Sequence, residues 1–181
     1  QGLRLAEAGA GILDVGGEST RPGSHPVELS EEIDRVMPVV EQLCGQLDIP
    51  VSIDTSKAEV ARQAVALGAE IINDVTGLEG DVEMIDVARQ SGAGICAMHM
   101  QGNPLRMQLD PHYHDVVADI TAYLAGRRDA LLAAGIERTR ICLDPGIGFG
   151  KTHEHNLELI RHCGEFHQLG CPLLVGHSRK G

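Results

Sequence analysis

The stretch Val51-Ser52-Ile53-Asp54 is a short apolar run that ends in a carboxylate. A strand buried in a parallel sheet reads as such a run, and a polar residue at its carboxyl end borders the crevice where α/β folds bind ligands. The strand ends of this chain therefore predict a site that surrounds one small polar molecule. The pattern recurs at Ile12-Leu13-Asp14, Ile71-Ile72-Asn73-Asp74 and Ile141-Cys142-Leu143-Asp144.

Strand-like and helical patterns alternate along the chain, which predicts parallel strands joined by right-handed crossovers. Ser30 and Ser56 are the predicted N-caps of two of the helices. Six strands are predicted, at residues 12–16, 51–55, 71–75, 95–99, 140–144 and 173–176.

Two architectures fit these strands, an open doubly wound sheet and a (β/α)8 TIM barrel. A doubly wound sheet concentrates its polar strand ends at one switch point, whereas almost every strand here carries one, as a barrel mouth requires. We therefore predict an α/β fold in which about six of the eight barrel strands are present. A complete barrel takes about 250 residues. We expect the 181 residues to form a single domain, 1–181, truncated at both ends.

The composition restricts the classes of partner. Lys and Arg number 15 against 26 Asp and Glu, and the net charge of −11 argues against a nucleic acid or an anionic membrane surface as the main partner. The five cysteines form no Cys-x-x-Cys pair, which indicates reduced, buried thiols. No run is long enough for a membrane span and no signal peptide is found, so we expect a cytoplasmic protein.

Two loops after predicted strands carry candidate binding groups. Residues 16–23, Gly-Gly-Glu-Ser-Thr-Arg-Pro-Gly, combine backbone N–H groups, hydroxyls and a guanidinium, which together can hold a phosphate or diphosphate. The alternative for this loop is a solvated surface turn. In the loop 144–151, Asp144 can accept two hydrogen bonds from an amino-pyrimidine edge, and Phe149 can supply an aromatic wall or pack against the barrel rim.

Three further positions follow the same logic. Asp54 and Asn73 stand at strand ends like Asp144, although each can instead cap the adjoining helix or loop. Lys180 follows the last predicted strand, where its ammonium would offset the carboxylates of the site and could bond a ring carbonyl or nitrogen.

These motifs, in this order, closely resemble dihydropteroate synthases. The resemblance spans the chain and is carried by residues 16–23, by Ser-Ile-Asp-Thr-Ser-Lys at 52–57, by Ile-Ile-Asn-Asp at 71–74, by Met-His-Met-Gln-Gly-Asn-Pro at 98–104, by Leu-Asp-Pro-Gly-Ile-Gly-Phe-Gly-Lys at 143–151 and by Ser-Arg-Lys at 178–180.

The resemblance implies a folate-pathway transferase that joins 4-aminobenzoate to 6-hydroxymethyl-7,8-dihydropterin diphosphate. It implies a cytoplasmic enzyme that uses Mg²⁺ and forms a homodimer when full-length. Arg21 and Lys180 would be the catalytic residues. The substrate-binding residues it implies are Thr20, Arg21, Pro22, Asp54, Asn73, Met98, Asp144, Phe149 and Lys180.

The chain also departs from the family pattern. The Asn that helps to hold Mg²⁺ on the family's first strand, and the Arg and His of its last strand, have no counterpart in these 181 residues. His177 and Gly181 replace the expected Met and Ser. We therefore expect little or no synthase activity from this chain alone.

Three rival functions stay open. The pairs His112/His114 and His153/His155 have metal-ligand spacing, as in metal-dependent barrel hydrolases, but they lie at predicted helix starts rather than strand ends. A pterin-binding domain of a corrinoid-linked methyltransferase shares the Asp and Asn positions but has no need of the 16–23 loop. A non-catalytic, ligand-binding remnant is the third. His99, at a strand end, is predicted to be a core histidine or to support the site from behind.

Overall fold

The sheet consists of parallel strands whose order in space is their order in the chain. The computed structural model describes residues 1–177, and each strand in that range pairs with the next one along the sequence. A doubly wound sheet reverses its order at a switch point, whereas a barrel adds every strand on the same side. The observed order confirms the prediction of a partial barrel. The strands are β1 Leu13–Gly16, β2 Val51–Asp54, β3 Ile71–Asp74, β4 Gly94–Met98 and β5 Ile141–Asp144.

The prediction of a sixth strand at 173–176 is wrong within the described residues. Leu173 forms one isolated parallel bridge to Leu143 of β5, and Leu174 N–H donates to the Leu143 carbonyl at 2.9 Å. The segment thus begins to pair on the side of β5 where a barrel needs its next strand. The ladder does not extend back along the chain, because Pro172 has no N–H to donate. Residues 178–181, which include Lys180, lie outside the described residues.

Helices follow the strands and cover one face of the sheet. Neither predicted N-cap is correct, because α2 begins after Glu28 and α3 after Lys57, and neither cap residue makes a side-chain capping bond. At α3 the first N–H, that of Ala58, is instead bonded by Asp81 Oδ2 at 2.9 Å. The helices are α1 Gly2–Glu7, α2 Leu29–Gln46, α3 Ala58–Ala66, α4 Met84–Ser91, α5 Val116–Ala133 and α6 His153–Arg161, with 3₁₀ turns at Arg138–Arg140 and Cys163–Leu169.

The two faces of the sheet have opposite chemistry, because successive strand residues alternate in direction. On the outer face Ile53, Ile72 and Ile95 are buried in the main apolar core with the helices. On the inner face the ladder aligns Gly16 with Asp54, and further ladder positions bring more polar side chains to the same side. The alternation therefore gives a dry helix-facing layer and a polar inner face at the barrel mouth.

All five cysteines are free thiols, which confirms the prediction of reduced cysteines. Cys96 and Cys171 are buried, whereas the other three are only half-buried. Within residues 1–177, no helix combines the length and hydrophobicity that crossing a bilayer requires.

Candidate active site

The inner face of the sheet brings together four of the predicted site residues at the carboxyl ends of their strands. Asp54 of β2 lies opposite Asn73 of β3, and Met98 of β4 lies opposite Asp144 of β5. Asn73 in turn lies opposite Cys96, one inner-face position before Met98. Neighbouring strands in a sheet are about 4.8 Å apart. The four strand ends therefore lie side by side on one face, where Asp54, Asn73 and Asp144 form a polar wall beside Met98.

Asp54 is a strongly perturbed carboxyl group of this wall. Burial, together with the nearby carboxylates of Asp14 and Asp74, raises its pKa to about 7. Asn73 Nδ2 donates to Asp14 Oδ2 at 3.1 Å, so the amide is oriented by a second carboxylate on the same face. The wall thus holds clustered negative charge, which suits a ligand that presents N–H donors or carries positive charge.

Asp144 begins a tight turn at the end of β5. The side chain is 5% exposed, and its Oδ1 accepts the Gly146 N–H at 2.7 Å. Gly146 has a φ of +67°, and a Cβ built there would lie 1.9 Å from the His99 carbonyl oxygen. The glycine therefore allows the Asp144 turn to pass directly against the end of β4.

Met98 and Phe149 line the apolar side of the site. Both are buried and belong to one small cluster with Val75 and Met107, separate from the main core. Phe149 thus packs in the rim cluster that contains Met98, as the alternative predicts, and its role as an aromatic wall for a ligand stays a prediction. An apolar ring placed against the polar wall would meet this cluster.

A buried lysine ties this turn to β4. Lys151 is 2% exposed, and its Nζ lies 3.0 Å from His99 Nδ1 while donating to the Phe149 carbonyl at 2.8 Å. Burial and the Lys151 ammonium lower the pKa of His99 to about 3, so the imidazole is neutral and accepts the bond. The prediction that His99 is a core histidine is confirmed.

The 16–23 loop folds beside the strand ends. Thr20 lines a cleft of about 60 Å³ together with Asp54, Thr55 and Pro104. Arg21 and Pro22 are exposed on the same loop. The structure therefore brings Thr20 to the cleft that Asp54 lines and leaves Arg21 exposed, while Lys180 lies outside the described residues.

The histidine pairs do not form a metal site within residues 1–177, where no three His, Cys, Asp or Glu side chains are placed to hold one ion. His155 serves the fold instead. Thr152 N–H donates to His155 Nδ1, and His155 N–H donates to Thr152 Oγ1, each at 3.2 Å. These reciprocal bonds cap the start of α6.

Sequence reasoning missed a buried ion cluster formed by Glu18, Glu32 and Lys57. Lys57 Nζ donates to both carboxylates, and Glu32 is 1% exposed. A signal for it was present in α2, where Glu32 precedes Val36 and Val40 at helical spacing and so stands on the apolar face. A carboxylate at such a position needs a buried cation.

The whole chain, residues 1–181, matches the family model described as pterin binding enzyme, so the chain belongs to the family of pterin-binding enzymes. Within it the chain is similar to dihydropteroate synthases. The Escherichia coli (strain K12) enzyme is 46% identical over 97% of this chain and 62% of its own length.

Two solved structures share the fold closely. Yersinia pestis dihydropteroate synthase in a sulfonamide drug complex has a TM-score of 0.95 at 45% identity, covering 98% of this chain and 64% of that one. Xanthomonas albilineans dihydropteroate synthase with 4-aminobenzoic acid has a TM-score of 0.93 at 46% identity, covering 99% and 63%. The chain thus spans slightly less than two thirds of the length of these relatives.

Proposed function

We propose that the whole protein to which this chain belongs is a dihydropteroate synthase. The observation that carries the proposal is the wall of Asp54, Asn73 and Asp144 beside Met98. A pterin ring presents a row of N–H donors and acceptors along its edge, which carboxylates and an amide match. Met98 can pack against the flat face of the ring. The relatives that bear this name, one of them with 4-aminobenzoic acid bound, support the substrate pair.

In the proposed reaction, the bond between the pterin methylene carbon and the diphosphate oxygen breaks, and its electron pair leaves with diphosphate. The amine nitrogen of 4-aminobenzoate then bonds to the methylene carbon and loses a proton. The polar wall stabilises the positive charge that develops on the pterin as diphosphate departs. Positioning of the two substrates supplies the rest of the rate enhancement, and no covalent nucleophile on the protein is needed.

The remaining proposed roles concern the loops. Arg21 is proposed to hold diphosphate oxygens by charge-assisted hydrogen bonds, and Lys180 is proposed to act with it. Thr20, Pro22 and Phe149 are proposed to border the aminobenzoate. Mg²⁺ is proposed from the resemblance to bind together with the diphosphate of the pterin substrate.

Assembly and compartment are further parts of the proposal. Five free thiols suit a reducing compartment, which supports the cytoplasm. A homodimer of the whole protein is proposed from the resemblance.

The methyltransferase and remnant alternatives are separated from the synthase by the second substrate. We expect 4-aminobenzoate to bind after the chain is saturated with 6-hydroxymethyl-7,8-dihydropterin diphosphate and Mg²⁺. The reason is that the 16–23 loop and Phe149 border the space beside the polar wall. Titration calorimetry measures this directly. Chromatography of the same samples shows whether dihydropteroate forms or the chain only binds.

Benzoate, which lacks the amine, and 5-methyltetrahydrofolate are the matched ligands. Binding of the methylated folate in place of the aminobenzoate would favour the methyltransferase domain and contradict the synthase proposal.

A further inference from the structure

Three charged side chains form a network behind the 16–23 loop, hereafter the Glu18–Lys57–Glu32 network. Lys57 Nζ donates to Glu18 Oε2 at 2.6 Å and to Glu32 Oε2. Thr55 Oγ1 donates to Glu32 Oε1 at 2.7 Å. The network therefore joins three elements: the loop after β1, helix α2 and the turn after β2.

The same network closes the loop on itself. The carboxylate oxygen of Glu18 that binds Lys57 also accepts the Val27 N–H at 3.0 Å, so both ends of the segment 18–27 meet at one atom. Farther along, Gly23 N–H donates to the Pro104 carbonyl at 3.0 Å, which fastens the tip to the loop after β4. Thr20 and Arg21 lie between these two anchors.

Burial makes the network sensitive to the loss of any one member. Glu32 is 1% exposed, whereas the Lys57 and Glu18 side chains are each 24% exposed. Burial alone would lower the pKa of Lys57, but its hydrogen bonds to Glu18 and Glu32 outweigh that effect and raise it. The ammonium therefore stays charged. A buried ion pair is often no more stabilising than apolar packing, so a contribution to a specific geometry is the stronger reason for one here.

The network also borders the polar wall at Asp54. Glu18, Glu32, Thr55 and Asp54 line the same cleft as Thr20. Lys57 comes three residues after Asp54, in the turn that ends β2. The Lys57 ammonium thus ties the 16–23 loop to the turn that follows Asp54.

We propose that Lys57 is a positioning residue that holds Thr20, Arg21 and Pro22 over the strand ends and thereby forms the second-substrate pocket. The proposal rests on the proposed function for the identity of that substrate. The strand pairing holds Asp54, Asn73 and Asp144 of the polar wall in place, and Lys57 takes no part in that pairing. Loss of Lys57 should therefore weaken aminobenzoate binding while leaving binding of the pterin ring itself intact.

The test compares Lys57→Met with Arg62→Met, a matched cation removed from the exposed ion pairs of α3. In Lys57→Met we expect amide hydrogen exchange in the peptide 17–27, Val27 included, to rise at least about tenfold, since a charge-assisted anchor is lost. Exchange in β2 to β5 should stay protected. Aminobenzoate affinity should fall at least about tenfold, while the affinity for 6-hydroxymethylpterin, which lacks the diphosphate assigned to Arg21, changes less than about threefold.

A second variant covers loss of folding. Lys57→Met leaves Glu32 charged and buried, so Lys57→Met/Glu32→Gln removes that charge while the amide still accepts from Thr55. Unchanged loop exchange in the folded variants would overturn the proposal, as would equal loss of both ligands. Failure of the unsubstituted chain to bind pterin would instead count against the proposed function, because the exchange measurement on the loop does not depend on a ligand.

Discussion

Replacing Gly146 with alanine is expected to destabilise the protein by about 3–5 kcal/mol, or to prevent folding. The new Cβ would lie 1.9 Å from the backbone oxygen of His99, and the φ of +67° is itself unfavourable for alanine. A backbone carbonyl at the end of β4 cannot move aside as a flexible side chain can. The Asp144 turn must therefore shift, and with it the polar wall. Urea denaturation followed by circular dichroism measures the loss.

Gly126 provides the control, because it lies in the middle of α5 with nothing within 4 Å of its added Cβ. Gly126→Ala should stabilise the protein by about 0.5–1 kcal/mol, since alanine favours a helix interior. An unfolding midpoint for Gly146→Ala that matches the unsubstituted protein would show that the turn does not pack as described.

Asp54→Asn is expected to stabilise the protein at pH 8 while removing pterin binding. The pKa of Asp54 is about 7 in the folded state, against the ordinary value of 3.8 for an aspartate side chain. Between pH 3.8 and pH 7 the folded state holds a proton that the unfolded state has released. The contribution of Asp54 to the free energy of unfolding is therefore fully present below pH 3.8 and is lost as the pH rises through 7. Asparagine has no such loss. The advantage of the variant should grow with pH to at most about 4 kcal/mol.

Thermal unfolding at intervals from pH 5 to pH 8 tests this, with Asp34→Asn as a matched exposed carboxylate on α2. The Asp54→Asn curve should separate from that of the unsubstituted protein as the pH rises, whereas Asp34→Asn should run parallel to it. A constant difference between Asp54→Asn and the unsubstituted protein would mean that Asp54 does not titrate near neutrality. Because the Asp54 carboxylate lowers the stability of the fold, ligand binding explains its presence better than folding does.

The polar wall could be predicted from the sequence, because the alternation of side chains along a strand and the shared carboxyl edge of parallel strands follow from the backbone alone. Asp54, Asn73 and Asp144 could be placed together from their positions in apolar runs. The helix starts were predicted less well, since Ser30 and Ser56 are good caps in isolation, but the N–H of Ala58 is bonded by Asp81, which is distant in sequence.

Local patterns mark Glu32 as a buried carboxylate that needs a cation, but they do not show which residue supplies it. Lys57 and Glu18 are separated by 39 positions, and their contact depends on how the loop after β1 folds back over β2. Likewise the pairing of Lys151 with His99 spans 52 positions. Periodicity identifies which face a residue occupies, whereas these contacts depend on how separate elements pack.

Binding of a pterin at the strand ends can be measured by calorimetric titration of the chain with 6-hydroxymethyl-7,8-dihydropterin diphosphate and Mg²⁺. Asp144→Asn is the matched variant, because asparagine keeps an oxygen for the Gly146 N–H but replaces the other carboxylate oxygen with a donor. We predict saturable binding by the unsubstituted chain and at least about a hundredfold weaker binding by the folded variant. Equal affinities, or no binding by a folded unsubstituted chain, would contradict the binding of a pterin at the strand ends.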